Sequence, residues 1–466
     1  MLDESADGCN GTERASESIA AREGSPVTKR SASASSTSKL PRCLALLVLQ
    51  SVQNEGVGSQ AALDRALRAS KISGPNRGLV TELVYGTLRH RRRLDRWLEQ
   101  ALDRGLRGLP SEVLNALRIG AYQLALLERI PDHAAIAATI DEVRKVVGPN
   151  KVGLLNAVLR RLARQRPWTG DASSGLPPWL VKRVSDYAAT LSIDGPALLR
   201  AFDERAPQHI HVRTDHQIGF EDRAAAAELT LHSIGQIPGV YRVESGHFFE
   251  SEIFTSRAAI AQDGASAAVV RWAGLNSDQK VLELCAGRGA KSLFLAASGA
   301  PVTAVDVDER RLQGAQRLVE RAGLTTLDTV VADAAEPLPF AAASFDLVFC
   351  DAPCSGLGTM RRRPEIRHRR IAADLPYNHA LQVRIIEQAA KMVRPGGLLL
   401  YAVCSFTEEE GPMVVEHLLR NAPQWRREPS DAHWVQPFLD QRGDLRTHPL
   451  QQGVDAFYAA RLRHCG

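Results

Sequence analysis

Val281-Leu282-Glu283-Leu284-Cys285-Ala286-Gly287-Arg288-Gly289-Ala290-Lys291 is the stretch on which the fold turns. An apolar strand runs into a glycine-containing turn that opens a helix. Small residues at such a turn let the backbone approach a ligand, and the helix N-terminus favours a negative group. A lone GxG is a weak signal. It gains weight from the next apolar run, Val302 to Val307, where Asp306 stands in AVDVDERRL. An acid at that place can accept hydrogen bonds from ribose hydroxyls. NAD and S-adenosylmethionine both carry that ribose, so these two features do not choose between them.

Further strands follow outward from this pair. Val330-Val331 leads to Asp333 in VVADAA. Phe345 to Cys350 leads to Asp351-Ala352-Pro353-Cys354-Ser355-Gly356, and Leu398 to Val403 leads to Cys404. Strands alternating with helices predict an α/β Rossmann-like domain, a mostly parallel sheet with helices on both faces. Ligands bind at the carboxyl ends of such strands. Gly287, Asp306, Asp333 and Asp351 are therefore expected at one rim, joined there by Cys354 and Cys404.

Two cysteines at one rim invite covalent chemistry, although a free cysteine is often only a small buried hydrophobe. Carbon 5 of cytosine is a poor nucleophile. A thiolate adding at carbon 6 makes carbon 5 enamine-like and able to take an electrophilic methyl. A carboxyl near ring nitrogen 3, held protonated by its surroundings, would assist, and Asp351 is placed for that. Cys404 is the candidate nucleophile. Cys354 is the candidate for helping release after the carbon 5 proton leaves.

The rest of the chain frames this domain. It has 466 residues, 44% hydrophobic and 24% charged, with a formal net charge of +5. That length suggests two or three domains, and the mild positive charge suits a nucleic-acid partner without demanding one. No apolar run is long enough to span a bilayer. The seven cysteines, Cys9, Cys43, Cys285, Cys350, Cys354, Cys404 and Cys465, include no CxxC pair. A disulfide framework and a structural zinc site are not expected, no other metal is implied, and a reducing cytoplasm fits. The start of the chain lacks the pattern of a secretory signal.

Residues 1–39 are rich in Ser, Ala and charge and read as a disordered tail. Residues 40–165 read as a helical bundle, with Val80, Leu83, Val84 and Leu88 at helical spacing and Leu117, Ala121 and Leu124 likewise. Arg89, Arg91, Arg92 and Arg93 in RHRRR, with Arg96 one turn on, are either a solvated helix face or a phosphate-contacting patch. Residues 166–264 read as a Pro/Gly/Ser linker and a small α+β domain. There His209 and His211 alternate along a strand, too few ligands for a metal. Residues 265–466 form the Rossmann-like domain.

DAPCSG at 351–356, RRRPEI at 361–366 and CS at 404–405 resemble the NOL1/NOP2/Sun RNA cytosine-C5 methyltransferases. TELVYGTLR at 81–89, HAAI at 133–136 and LLNAVLRRL at 154–162 look like the NusB-like RNA-binding domain that precedes catalysis in the bacterial Sun/Fmu-type enzymes of 16S ribosomal RNA. The resemblance implies S-adenosylmethionine as cofactor, held by Cys285, Ala286, Gly287, Arg288, Gly289, Ala290, Lys291, Asp306, Asp333 and Asp351. It implies Cys404 as nucleophile, Cys354 as the cysteine that aids release, and ribosomal RNA as partner.

There are departures. Arg288 stands where the family has proline and Ala290 where it has glycine, so a bulky cation beside the cofactor either clashes with it or holds its carboxylate. Val403 replaces threonine and Gly411 replaces asparagine. Competing readings are a non-catalytic RNA-binding protein, a Rossmann dehydrogenase, which leaves two rim cysteines without a role, and an exocyclic-amine methyltransferase, which wants Asn/Asp-Pro-Pro-aromatic where DAPC stands.

Overall fold

The computed structural model describes residues 40–165, 168 and 175–466. The expected tail over 1–39 and most of the proline- and glycine-rich linker lie outside these residues.

Six helices open the described chain: α1 (Pro41–Asn54), α2 (Ser59–Ala69), α3 (Gly74–Ala101), α4 (Ser111–Leu126), α5 (Asp132–Val147) and α6 (Pro149–Arg164). Val80, Leu83, Val84 and Leu88 face the bundle core from α3. Helix α4 differs from a one-faced amphipathic helix. It is buried continuously from Asn115 to Leu124, because its residues are apolar on most sides and it runs through the middle of the bundle. Gly120 permits this, since a Cβ there would stand 2.6 Å from Leu159 of α6. Polar groups enclosed with α4 are paired: Arg118 donates to Asp95 at 2.7 Å and Gln123 accepts from Arg42 at 2.8 Å.

Helices α7 (Pro178–Thr190) and α8 (Gly195–Asp203) lead to four short strands: β1 (His209–Val212), β2 (Thr230–Ser233), β3 (Val240–Ser245) and β4 (Ala259–Ala261). They form an antiparallel sheet in the order β2-β3-β1-β4. His209 and His211 are both buried in it. His211 Nδ1 lies 2.7 Å from Gln262, and its ring stacks on Phe294 of the next domain at 3.6 Å between centroids.

The large sheet contains β5 (Val281–Leu284), β6 (Val302–Asp306), β7 (Leu327–Val331), β8 (Phe345–Asp351), β9 (Val393–Val403), β10 (Trp425–Arg427) and β12 (Tyr458–His464), with β11 (Leu445–Arg446) at its side. The order is β10-β12-β9-β8-β5-β6-β7. Strands β5 to β9 are mutually parallel, as the sequence pattern predicts. The strand β12 was not anticipated. It inserts antiparallel between β9 and β10, with Tyr458 opposite Val403. Both faces of the sheet are covered: Val281, Val302 and Ala304 enter one core, Leu282, Leu284 and Val305 the other. That is why these strands carry apolar residues on both faces rather than alternating strictly with polar ones. No described helix is long and apolar enough to cross a membrane.

Candidate active site

The topology brings the carboxyl ends of β5, β6, β7, β8 and β9 to one edge. After β5 the chain turns at Cys285, held at φ 60°, a left-handed conformation that disfavours any side chain and recurs at ligand sites. Gly287 and Gly289 follow at φ 59° and 82°. A Cβ on Gly289 would collide with Ala315 at 2.5 Å, so this glycine lets two helices meet. A Cβ on Gly287 would meet nothing nearer than 4.0 Å, which leaves open space above the turn.

Around that space stand fixed carboxylates. Asp306 accepts from the Gly287 and Asp308 backbone N–H groups, each at 2.9 Å, and Asp333 accepts from Ala335 N–H at 2.9 Å. Val307 and Val331 beside them are 62% and 55% exposed, although both are apolar. A carboxylate for ribose hydroxyls, open valines for an apolar ring and room over a glycine turn fit S-adenosylmethionine. Glu283, inside β5, is fully buried, and burial pushes its carboxyl up to about 8. Neither of its oxygens has a well-formed hydrogen bond among the described residues. The sequence reading passed over Glu283. Its one signal was a lone acid within an apolar strand.

Strands β8 and β9 run side by side, with Asp351 opposite Ala402, so the loops after them leave together. This brings Cys354 Sγ to 3.3 Å from Cys404 Sγ. The Cys404 sulfur beside it, and then burial, push the Cys354 thiol well above its usual range. The direction is that of a thiol donating its proton toward the neighbouring sulfur. Lys291, from the turn after β5, donates to Asp351 at 2.5 Å. Burial works against a charge on Lys291, but the Asp351 carboxylate outweighs it, Cys404 and Glu283 add to the effect, and the ammonium is held above its usual range. Asp351, expected to stand near ring nitrogen 3, thus has the Lys291 side chain as its partner rather than an apolar wall.

Both cysteine loops are tied to one buried carboxylate that the sequence reading did not single out. Glu410 Oε1 accepts from Ser355 N at 2.6 Å and Asn378 Nδ2 at 2.8 Å. Its Oε2 accepts from Ser355 Oγ and Ser405 Oγ, each at 2.5 Å, and from Thr407 Oγ1 at 3.2 Å. Ser355 follows Cys354 and Ser405 follows Cys404, so Glu410 fixes the spacing of the two sulfurs.

The RHRRR cluster is not one solvent-facing patch. Arg89 is buried and donates to Arg361 O at 3.2 Å. Arg93 pairs with Asp203 at the end of α8, and Arg91 lies 3.9 Å from Asp95. Arg92 and Arg96 alone are exposed. The counterpart is the RRRPEI segment. Arg361 donates to Gly453 O and Arg205 O, Arg362 pairs with Asp455 and Asp263, and Glu365 accepts from Ser59 Oγ at 2.7 Å. The fully buried Arg367 just beyond it pairs with Asp203 at 2.9 Å. These arginines join the helical bundle to the large domain. Arg288 is exposed and lines a groove with Arg310 and Arg311. Among the described residues no group of three or more His, Cys, Asp or Glu is placed to hold a metal.

Comparison with known proteins agrees with this geometry. Residues 271–463 match the family described as 16S rRNA methyltransferase RsmB/F, and residues 39–164 match the NusB family. Ribosomal RNA small subunit methyltransferase B of Thermus thermophilus is 36% identical over 430 residues, covering 91% of this chain and 97% of that protein. The protein of the same name from Xanthomonas campestris is 31% identical, covering 90% and 96%. In fold the chain resembles the crystal structure of PH0851, with TM-score 0.77, 21% identity and coverage of 91% and 98%. It also resembles that of NSun6 from Pyrococcus horikoshii, with TM-score 0.53, 16% identity and coverage of 62% and 98%. With a NusB bundle, a small antiparallel sheet and a cofactor rim that ends in two adjoining cysteines, the chain belongs to the S-adenosylmethionine-dependent ribosomal RNA small subunit methyltransferase B family.

Proposed function

We propose that this chain methylates carbon 5 of a cytosine in small-subunit ribosomal RNA, with Cys404 as nucleophile and Cys354 as the group that assists release. The observation that carries the reading is the 3.3 Å separation of the two sulfurs at the rim that holds Asp306, Asp333 and Lys291.

The order of steps follows from the charges around those sulfurs. Cys404 is among the groups that hold the Lys291 ammonium above its usual range, while the Cys354 thiol beside it keeps its proton. The Cys404 thiolate adds to carbon 6: a sulfur–carbon bond forms, and the ring double-bond pair moves toward carbon 5. A proton for ring nitrogen 3 is available from the Lys291–Asp351 pair. S-adenosylmethionine supplies an electrophilic methyl at this stage. Once the Cys404 sulfur is bonded to carbon it is no longer an anion beside Cys354, and the main cause holding the Cys354 proton is gone. Cys354 then gives its own proton to water and, as the thiolate, accepts the carbon 5 proton, directly or through water, while the proton on ring nitrogen 3 returns to the Lys291–Asp351 pair. The electron pair restores the ring double bond, and the bond to Cys404 breaks.

The test is methyl transfer from labelled S-adenosylmethionine to small-subunit ribosomal RNA, followed by digestion to nucleosides. 5-Methylcytidine is the expected product. Methyl on the exocyclic amine, or no transfer, would overturn the reading.

A further inference from the structure

Six arginines from three separate segments converge on one open groove of about 610 Å³: Arg257, Arg288, Arg310, Arg311, Arg317 and Arg321. Arg257 precedes β4 of the small sheet, Arg288 belongs to the turn after β5, and the other four lie on the helix Glu309–Arg321. Along that helix Arg310, Gly314, Arg317 and Arg321 follow the i, i+4, i+7, i+11 row, one face about 16 Å long. Gly314 sits in the middle of the row, where a Cβ would meet open space, so the groove is not filled from within. The helix's two acids, Glu309 and Glu320, lie off this row and do not line the groove. The one acid in the lining is Asp308, and Arg311 already engages it at 3.2 Å. Among the described residues no carboxylate lies within ion-pair distance of Arg288, Arg310, Arg317 or Arg321, although ion pairs are frequent elsewhere on this molecule.

Two details mark the groove as built. Arg257 is held at φ 62°, a left-handed conformation that a non-glycine residue adopts only against strain. Its guanidinium is pinned there, 4.5 Å from the Phe254 ring centroid and donating to Phe254 O at 2.7 Å. The groove also adjoins the cofactor rim. Arg311 stands 3.9 Å from Asp306, and Arg288 follows Gly287, which donates to that same carboxylate.

We propose that this groove carries the phosphodiester backbone of the substrate RNA, on the flank of the cofactor rim. The inference rests on the reading of the chain as an RNA methyltransferase and gives that RNA a docking surface outside the helical bundle. Arginines without carboxylate partners, aligned along one helix face, match a polyanion of regular charge spacing. They would hold the RNA in position without reading its sequence.

The experiment measures binding of the full chain to a small-subunit ribosomal RNA transcript over a series of salt concentrations. Wild type is compared with Arg310→Glu/Arg317→Glu/Arg321→Glu and with the corresponding triple lysine variant. The glutamate variant should bind RNA at least about tenfold more weakly, and its plot of log affinity against log salt should be shallower by about 2. Its KM for RNA should rise, while kcat at saturating RNA and S-adenosylmethionine affinity stay unchanged. The lysine variant should keep most of the slope. If the glutamates disturb the helix, which S-adenosylmethionine binding would reveal, a triple glutamine variant reads the same slope. An unchanged slope, or a loss in the lysine variant equal to that in the glutamate variant, overturns the proposal. So would loss of binding to anionic phospholipid vesicles with RNA binding intact. Failure of the wild type to methylate RNA would count against the function instead, because the slopes are read on binding alone.

Discussion

Glu410 accepts five hydrogen bonds from groups on three stretches of chain, and two of those stretches carry the cysteines. Glu410→Gln keeps the volume but turns one acceptor into a donor facing hydroxyls or N–H groups that need acceptors. Unfolding free energy should fall by about 1–3 kcal/mol. The rate at saturating substrates should fall on the order of 10²-fold, the usual cost of misplacing reacting groups by about 1 Å. S-Adenosylmethionine affinity should hold, since Asp306 and Asp333 are untouched. A full rate in a destabilised variant would contradict the anchoring role. The rim residues could be read from sequence because each follows its own strand, and strand ends in a parallel sheet share an edge. Glu410 could not. Its partners Ser355, Asn378, Ser405 and Thr407 are spread over 53 residues and meet only once β8 and β9 pair. Asp351 was placed correctly at the rim, but the ammonium beside it comes from another strand's turn, and no local pattern announces that.

Among the elements, α3 and the RRRPEI segment show the same limit more plainly. A run of arginines on a helix looks alike whether it faces water or a neighbouring domain. Here Asp203, 110 residues from Arg93, decides. Asp203 is the shared carboxylate of Arg93 and Arg367, and Arg367 is fully buried. Asp203→Ala leaves two enclosed guanidinium groups without their carboxylate, and the cost should be about 3–5 kcal/mol in a denaturant melt. A change under about 1 kcal/mol would mean that the junction does not depend on this pair. The strand β12 was equally hidden. Tyr458 to His464 has the length of a strand, but nothing in those residues shows that they insert antiparallel between β9 and β10. That is a fact of topology rather than pattern.

Over the whole molecule, three units meet through buried polar groups, and this should make the assembly sensitive to acid. His211 joins the small sheet to the large domain, and burial pushes it down to about 3. The folded value lies below the unfolded one, near 6.5. The stability it contributes is therefore complete above about pH 6.5 and is lost as the pH falls toward 3, because the unfolded chain binds a proton that the folded chain excludes. Relative to His211→Gln, the wild type should lose about 1.4 kcal/mol per pH unit across that window. Parallel pH curves for the two proteins would show that His211 is not the titrating group.

In the proposed function these three units together present one pair of sulfurs to RNA, and the different fates of that pair are its central claim. The decisive measurement is a denaturing gel of Cys404→Ala and Cys354→Ala after incubation with small-subunit ribosomal RNA and S-adenosylmethionine. Cys404→Ala removes the attacking sulfur, so no adduct and no methylation should appear. Cys354→Ala leaves attack intact and impairs release, so a slowly migrating covalent protein–RNA band should accumulate. A band with Cys404→Ala and none with Cys354→Ala would reverse the roles, and no band with either would contradict covalent catalysis at this rim.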